Sequence, residues 1–448
     1  MTSTGTSTRA TGPLTEPVLL GIDVGSSRTK AVLVDRAGRE VASAALATPF
    51  GPHGAGVEMD VDALLACLRA VVVDLGGRRA DVVSTGIAGV AESGAPLDSA
   101  GRALAPVIAW HDGRGREAVE ELERRFGTDL PLRIGQRVRT VATVSKLGWL
   151  LGHGVTGMVR WLGVPELGLQ ALTGAEATEF SLAARSGCYD VTEKRWMPEV
   201  AEAVGFSVDV FPPVLAAGAV MGRIADDAAG PFGLPAGTPV TIAGHDHLAG
   251  MAGAGVGPRD AANSVGTAET IVARTETLPD LAVAVARDVR ITVVPGGREW
   301  AALVGAARAG LVIEAGAAAL GRPVRDLDRL AAGADPVDVA GAVDALARGD
   351  RVDWPGAPAG ALWAGLLTAL TARTAEAYGR LVEVVGPCDR LVVFGGGSAS
   401  EPWMRAKAAA LPIPVVRSGV GSAVARGAAL YAGIAAGWWP SVADAPPP

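Results

Sequence analysis

Short apolar runs of strand type alternate with runs of helical spacing along most of the chain, and the alternation has an order. Residues 18–22 and 31–35 are apolar runs separated by a turn rich in Asp, Gly and Ser, which predicts a hairpin, and 40–47 extends it into a meander. Leu64, Leu65, Leu68 and Val72 then recur at helical spacing, predicting a helix over 61–75, before 81–87 returns to strand. The theme comes back in the second half: strand at 240–243, helix at 247–254, strands at 262–265 and 270–273, and a further strand at 291–294. One architecture used twice is implied. Between the two copies, 118–126, 144–151 and 158–172 look like an α-rich insertion, with Leu172, Thr173 and Gly174 as a helix stop. A chain that begins strand, turn, strand differs from the Rossmann and Walker starts, in which the first strand enters a helix.

Length and composition fit two packed domains. At 448 residues the chain exceeds what one hydrophobic core usually organises. The division is placed at 238/239, giving domains over 17–238 and 239–440 with tails over 1–16 and 441–448, and disorder is expected only at those ends. An apolar content of 49% with only 4% aromatic residues suits tightly packed helix-on-sheet layers. The N-terminal tail lacks the apolar core of a secretory signal, and no stretch approaches the roughly 18 uninterrupted apolar residues that span a bilayer, so a cytoplasmic location is expected. Cys67, Cys188 and Cys388 are odd in number and share no metal-type spacing, which predicts buried, reduced thiols. A net charge of −7 without a basic cluster argues against nucleic acid and anionic membranes as partners.

The candidate chemistry lies in three glycine-rich turns. Gly244, His245 and Asp246 follow the apolar run 239–243, and a carboxylate at a strand end beside glycines is placed to take a proton from a hydroxyl. Asp23, Gly25, Ser26 and Ser27 form a second such turn near the N-terminus, and Gly395, Gly396, Gly397 and Ser398 a third near the C-terminus. Three turns of this kind spread over two halves describe a nucleotide held between two domains, with a sugar-like acceptor beside it.

The ordered set of segments resembles the FGGY carbohydrate kinases, sugar and polyol kinases with the actin-like ATPase fold. The resemblance rests on 21–27, Trp110 to Arg114, Lys146 to Trp149, Leu172 to Gly174 with Thr178 and Glu179, Gly244 to Asp246, Gly266 and Thr267, Phe394 to Gly397 with Trp403, and Arg426 to Leu430. It implies an α/β protein of two actin-like (ribonuclease H-like) ATPase domains with a cleft between them, using ATP and Mg2+. Phosphoryl transfer asks for positioning and charge stabilisation, so amide-rich turns, a metal site and a base are needed. Gly25, Ser26 and Ser27 can donate to phosphates, Lys30 or Arg28 can supply positive charge, and Asp23, with help from Asp246, would hold magnesium. The resemblance gives Gly266 and Thr267 the second phosphate turn, residues 395–398 the adenosine cradle, and Asp246 the role of base.

On the acceptor side the resemblance points to Glu92, Trp110, Asp112 and Asp246. Glu92 either binds hydroxyls or is a solvated loop residue, Trp110 either stacks on a sugar or fills the core, and Asp112 either binds a hydroxyl or caps the helix starting near 114–117. The segment Val90, Ala91, Glu92, Ser93 departs from the xylulose kinase pattern, and Ala91 and Val141 depart from that of glycerol kinases. Ala268 and Ser422 replace a Ser and a Glu common in the family. The acceptor is therefore left as a small sugar, sugar acid or polyol, and a homodimer is compatible with this class. Two other readings compete: a hydrolase with a metal on His245 and His247, which on a strand would point the same way, and a non-enzymatic actin-like nucleotide switch.

Overall fold

The computed structural model describes residues 16–54 and 56–448, so the expected tail over 1–16 lies, apart from its last residue, outside the described residues. Two six-stranded sheets organise the chain. The first runs, in spatial order, Glu40–Ala47, Arg28–Val34, Val18–Val24, Val82–Gly89, Pro239–His245, Gly222–Arg223. The second runs Arg290–Val293, Trp300–Ala307, Glu269–Thr275, Ala261–Val265, Leu391–Phe394, Val415–Arg417. Each contains an antiparallel three-strand meander followed by two strands added in parallel, so the duplication read from the sequence is real.

Burial explains the strand sequences. All seven residues of Val18–Val24 are buried, and the strand reads as a continuous apolar run because both faces of the sheet are covered. Asp23 is its one charged residue. The helix Ala423–Ala435, from the far end of the chain, lies on this first sheet at glycines: a Cβ on Gly21 would come within 1.9 Å of the Ala425 carbonyl oxygen, and one on Gly86 equally close to that of Ala428. The same helix touches Asp246–Gly253 at Gly427 and Gly253, where a Cβ on either would sit 1.8 Å from a backbone oxygen of the other helix. These contacts put the helix that carries Asp246 under the first sheet, at the seam with the second.

Three expectations need correction. The strand Pro239–His245, expected to open the second domain, pairs in parallel with Val82–Gly89 in the first sheet, and the second sheet starts only at Ala261. The expected division at 238/239 therefore does not coincide with the division between sheets. The stretch 158–172 is not one helix: Arg160–Gly163 forms a strand against Gly94–Leu97, and the helix Val164–Thr173 begins only where Pro165 fixes its first turn. Its stop at Gly174 is as expected, with φ 69°. The tail 441–448 is docked: Arg426, buried, donates to the backbone oxygens of Gly38, Gly253 and Pro446 at 2.9, 2.7 and 2.9 Å. The α-rich insertion has a core of its own around Leu122, Ile134, Leu147 and Cys188. Cys188 and Cys388 are buried free thiols, while Cys67 is only half-buried.

Candidate active site

A cleft of about 1170 Å³ opens between the two sheets, and the glycine-rich turns from both halves line it. The first hairpin is closed by Gly25 N–H donating to the Arg28 carbonyl at 3.1 Å, which leaves Ser26 and Ser27 at its tip. The second turn, at Gly266 and Thr267, comes from the matching hairpin of the second sheet. The two tips meet, with the Ser27 and Thr267 hydroxyls 2.6 Å apart. Lys30 and Arg28 face the same space.

Two carboxylates converge here. Asp23 is 5% exposed, and its Oδ1 has no hydrogen-bond partner. Burial lifts its carboxyl to about 7 against the pull of Lys30, with Asp246 adding to the rise. Asp246 is aimed by its strand: pairing slips between Ile242 and Gly244, Gly244 takes φ 93°, and the chain turns so that Asp246 opens the next helix facing the cleft. Its Oδ1 accepts from the His247 amide at 2.6 Å and lies 3.2 Å from His245 Nε2. Burial, and then the negative charge of Glu92, raise it to about 7 as well. His245 and His247 are kept neutral, the first held well below its ordinary value by burial and the second lowered to about 4 by burial and the charges of Arg290 and Arg185.

The third turn follows the strand Leu391–Phe394. Gly395 has φ 96° and lies against the Val265 carbonyl, where a Cβ would come within 2.5 Å, and Gly397 lies against the Val265 side chain, where one would come within 2.3 Å. Gly396 differs: nothing lies within 4 Å of its would-be Cβ, and its open side is the cleft. Ser398 does not line the cleft, and its hydroxyl donates back to the Gly395 carbonyl at 2.7 Å.

On the acceptor side, Glu92 and Trp110 line the cleft beside Asp246. Glu92 is buried, with its Oε1 held by Arg185 Nε at 2.7 Å and Nη2 at 2.5 Å. Asp112 is elsewhere: it does not line the cleft, and its oxygens are taken by Arg114 at 2.7 and 2.9 Å and by the Val57 amide at 2.9 Å. The Arg114 contacts hold its carboxyl at about 2 against the desolvation that opposes them, so it serves the local fold.

Residues 18–253 match the description of the N-terminal domain, and residues 339–436 that of the C-terminal domain, of the FGGY family of carbohydrate kinases. The chain belongs to that family. It is 31% identical over 270 residues to the L-fuculokinase of Salmonella typhi, a match that covers 58% of this chain and 57% of that protein. It is 26% identical over 452 residues to the L-fuculokinase of Escherichia coli K12, covering 95% of this chain and 92% of that one. A crystal structure of xylulose kinase from Lactobacillus acidophilus superposes with a TM-score of 0.81 at 17% identity, covering 96% of this chain and 91% of that chain. That likeness shows the fold: two actin-like ATPase domains facing each other across a cleft.

Membership of the FGGY family leaves the hydrolase reading unsupported. The geometry behind it also differs from expectation, since His245 ends a strand and His247 opens a helix, although with Asp246 they bring three possible ligand atoms within 4.8 Å of one another. Sequence reasoning missed the arginines of this FGGY cleft. Arg139, Arg185, Arg290 and Arg308 all line it, from a loop, a helix end, an edge strand and a strand-to-helix turn. Isolated arginines carry no spacing signal, and only the fold gathers them. Among the described residues no helix is long and apolar enough to cross a membrane.

Proposed function

We propose that this chain transfers the γ-phosphoryl group of ATP to a hydroxyl of a small sugar, sugar acid or polyol, with Asp246 as general base, in the cytoplasm. One observation carries the reading. Asp246 stands where two regions of the cleft join, with Asp23 and the touching Ser27 and Thr267 turns on one side and Glu92 and Trp110 on the other. A nucleotide switch needs the first region only.

The roles follow from the geometry. ATP lies with its phosphates against the two serine and threonine turns and its adenosine over the open face of Gly396, while Gly395 and Gly397 fix the path of that turn. Lys30 adds charge beside the phosphates. The partnerless, buried Oδ1 of Asp23 is oxygen-donor chemistry of the kind Mg2+ takes, so Asp23, with Asp246 across from it, would hold the ion. When bound, magnesium neutralises charge on the phosphates. Asp246 accepts the proton of the acceptor hydroxyl, its Oδ1 already fixed by the His247 amide so that Oδ2 is free to point at the acceptor. Neutral His245 and His247 beside it add no competing positive charge.

Replacing Asp246 by Asn keeps the shape and removes the basic oxygen. The expected outcome is a loss of about 10²–10⁴ in kcat, with nucleotide affinity by calorimetry nearly intact. Full acceptor-dependent ADP release by this variant would remove Asp246 from the role of base. Release of ADP by the unaltered enzyme with no dependence on any acceptor would favour the switch instead.

A further inference from the structure

The acceptor end of the cleft carries more positive charge than its own carboxylates neutralise. Arg139 is paired with Asp288, which also faces Arg380 at 3.8 Å. Arg185 is spent on Glu92 and, through Nη1, on Gln136 Oε1 at 2.7 Å. Arg290 stands between them, half-buried on the edge strand Arg290–Val293, and among the described residues it makes no hydrogen bond or ion pair. Its guanidinium folds across Gly305, where a Cβ would come within 3.0 Å of Nη2. A side chain at 305 would push it aside. Arg308, exposed at the rim, adds a further positive charge.

A half-buried guanidinium with no partner, beside two others, is costly unless something anionic completes it. Burial and the neighbouring charges of Arg185 and Arg139 pull Arg290 down to about 10, against the weaker opposing charges of Glu92 and Asp288, which leaves it cationic at neutral pH. Asp246 cannot serve, because it must accept the acceptor's proton. Glu92 cannot, because Arg185 holds its Oε1.

We infer that the acceptor is a sugar acid, a small polyhydroxy carboxylate whose carboxylate pairs with Arg290 while its hydroxyls reach Glu92 and Asp246. This rests on the kinase reading above and narrows it. Among the described residues Arg290 is the half-buried guanidinium of the cleft without a hydrogen bond or ion pair, which matches a monoanion better than a sugar phosphate, and a planar carboxylate suits its fork.

The test uses the full-length enzyme with ATP and Mg2+ and pairs each aldonate with the alditol and ketose of the same chain length. The expected result is higher kcat/KM for the acid, and in Arg290→Gln a fall of about 10- to 150-fold in the acid-to-neutral ratio of kcat/KM, the size of one charge-assisted hydrogen bond. Arg290→Lys, which keeps the charge, restores part of that ratio, and ATP affinity by calorimetry reports that each variant is folded. If ketoses or alditols are preferred and the ratio ignores residue 290, the sugar-acid assignment falls while the kinase reading stands. Preference for a sugar phosphate would overturn the carboxylate specifically. If no acceptor of any class stimulates ADP release, the kinase reading falls with it.

Discussion

Glu92 has a left-handed backbone, φ 65°, that non-glycine residues adopt at a cost of roughly 1–3 kcal/mol. Its bond to Arg185 and its place in the cleft wall hold it there. With Oε1 occupied, Oε2 is the atom that can accept from an acceptor hydroxyl. Glu92→Gln should therefore raise the acceptor KM and lower kcat/KM by about 10- to 150-fold, with the KM for ATP nearly unchanged. Steady-state kinetics with ATP saturating and the acceptor varied decide it, and an unaltered kcat/KM would reduce Glu92 to a tether for Arg185. Glu92 enters from the sequence through the resemblance carried by its segment, Val90 to Ser93. Arg185, 93 positions away, has no local pattern tying it to Glu92, and only folding joins them. Asp112 shows the converse: the resemblance offers it as an acceptor contact, yet Arg114 two positions on captures it.

Among the elements, the turn after Leu391–Phe394 shows how three identical residues divide their work. Gly395 and Gly397 are glycine because Val265 leaves no room for a Cβ, whereas Gly396 is bounded only by the cleft. Gly396→Val should thus fold normally and weaken ATP binding by filling nucleotide space, which calorimetry reads directly. Unchanged affinity in a folded variant would move the adenosine site elsewhere. Gly395→Val, by contrast, would test the fold and say little about the site. Strand and helix periodicity made most elements legible, with the meander 40–47 and the helix near 61–75 found close to where the spacing places them. It failed at 158–172, where Trp161 and Leu162 are drawn into a strand by pairing with Gly94–Leu97, an interaction that no local window contains.

Across the whole molecule, Asp23, Glu166, Glu179 and Asp246 are all raised by burial to about 7. Glu166 is the cleanest to follow, since it does not line the cleft and accepts a hydrogen bond from the Thr178 hydroxyl at 2.5 Å. Its carboxyl moves from an ordinary 4.5 to about 7, so the native state holds a proton that the unfolded chain has released, and its contribution to stability is full below pH 4.5 and lost as pH rises through 7. Glu166→Gln stays neutral throughout. The fall in thermal stability between pH 5 and pH 8 should shrink in that variant, by roughly 3 kcal/mol at most for one such group. Calorimetric melts at the two pH values check this, and an identical fall in both proteins would refute it.

The sequence by itself determined the duplicated hairpin architecture, the three glycine-rich turns, the carboxylates Asp23 and Asp246 and the family that combines them. These are legible because each depends on residues close together in the chain: alternation, turn chemistry, a carboxylate at a strand end. Tertiary structure alone decided that Pro239–His245 belongs to the first sheet, that the tail 441–448 is held by Arg426, and that Arg139, Arg185 and Arg290 gather around the acceptor space. Those outcomes turn on sheet pairing, burial and charge balance between segments tens to hundreds of residues apart. A guanidinium looks the same in sequence whether it meets water, a partner or an open pocket, and only the packed chain distinguishes the three.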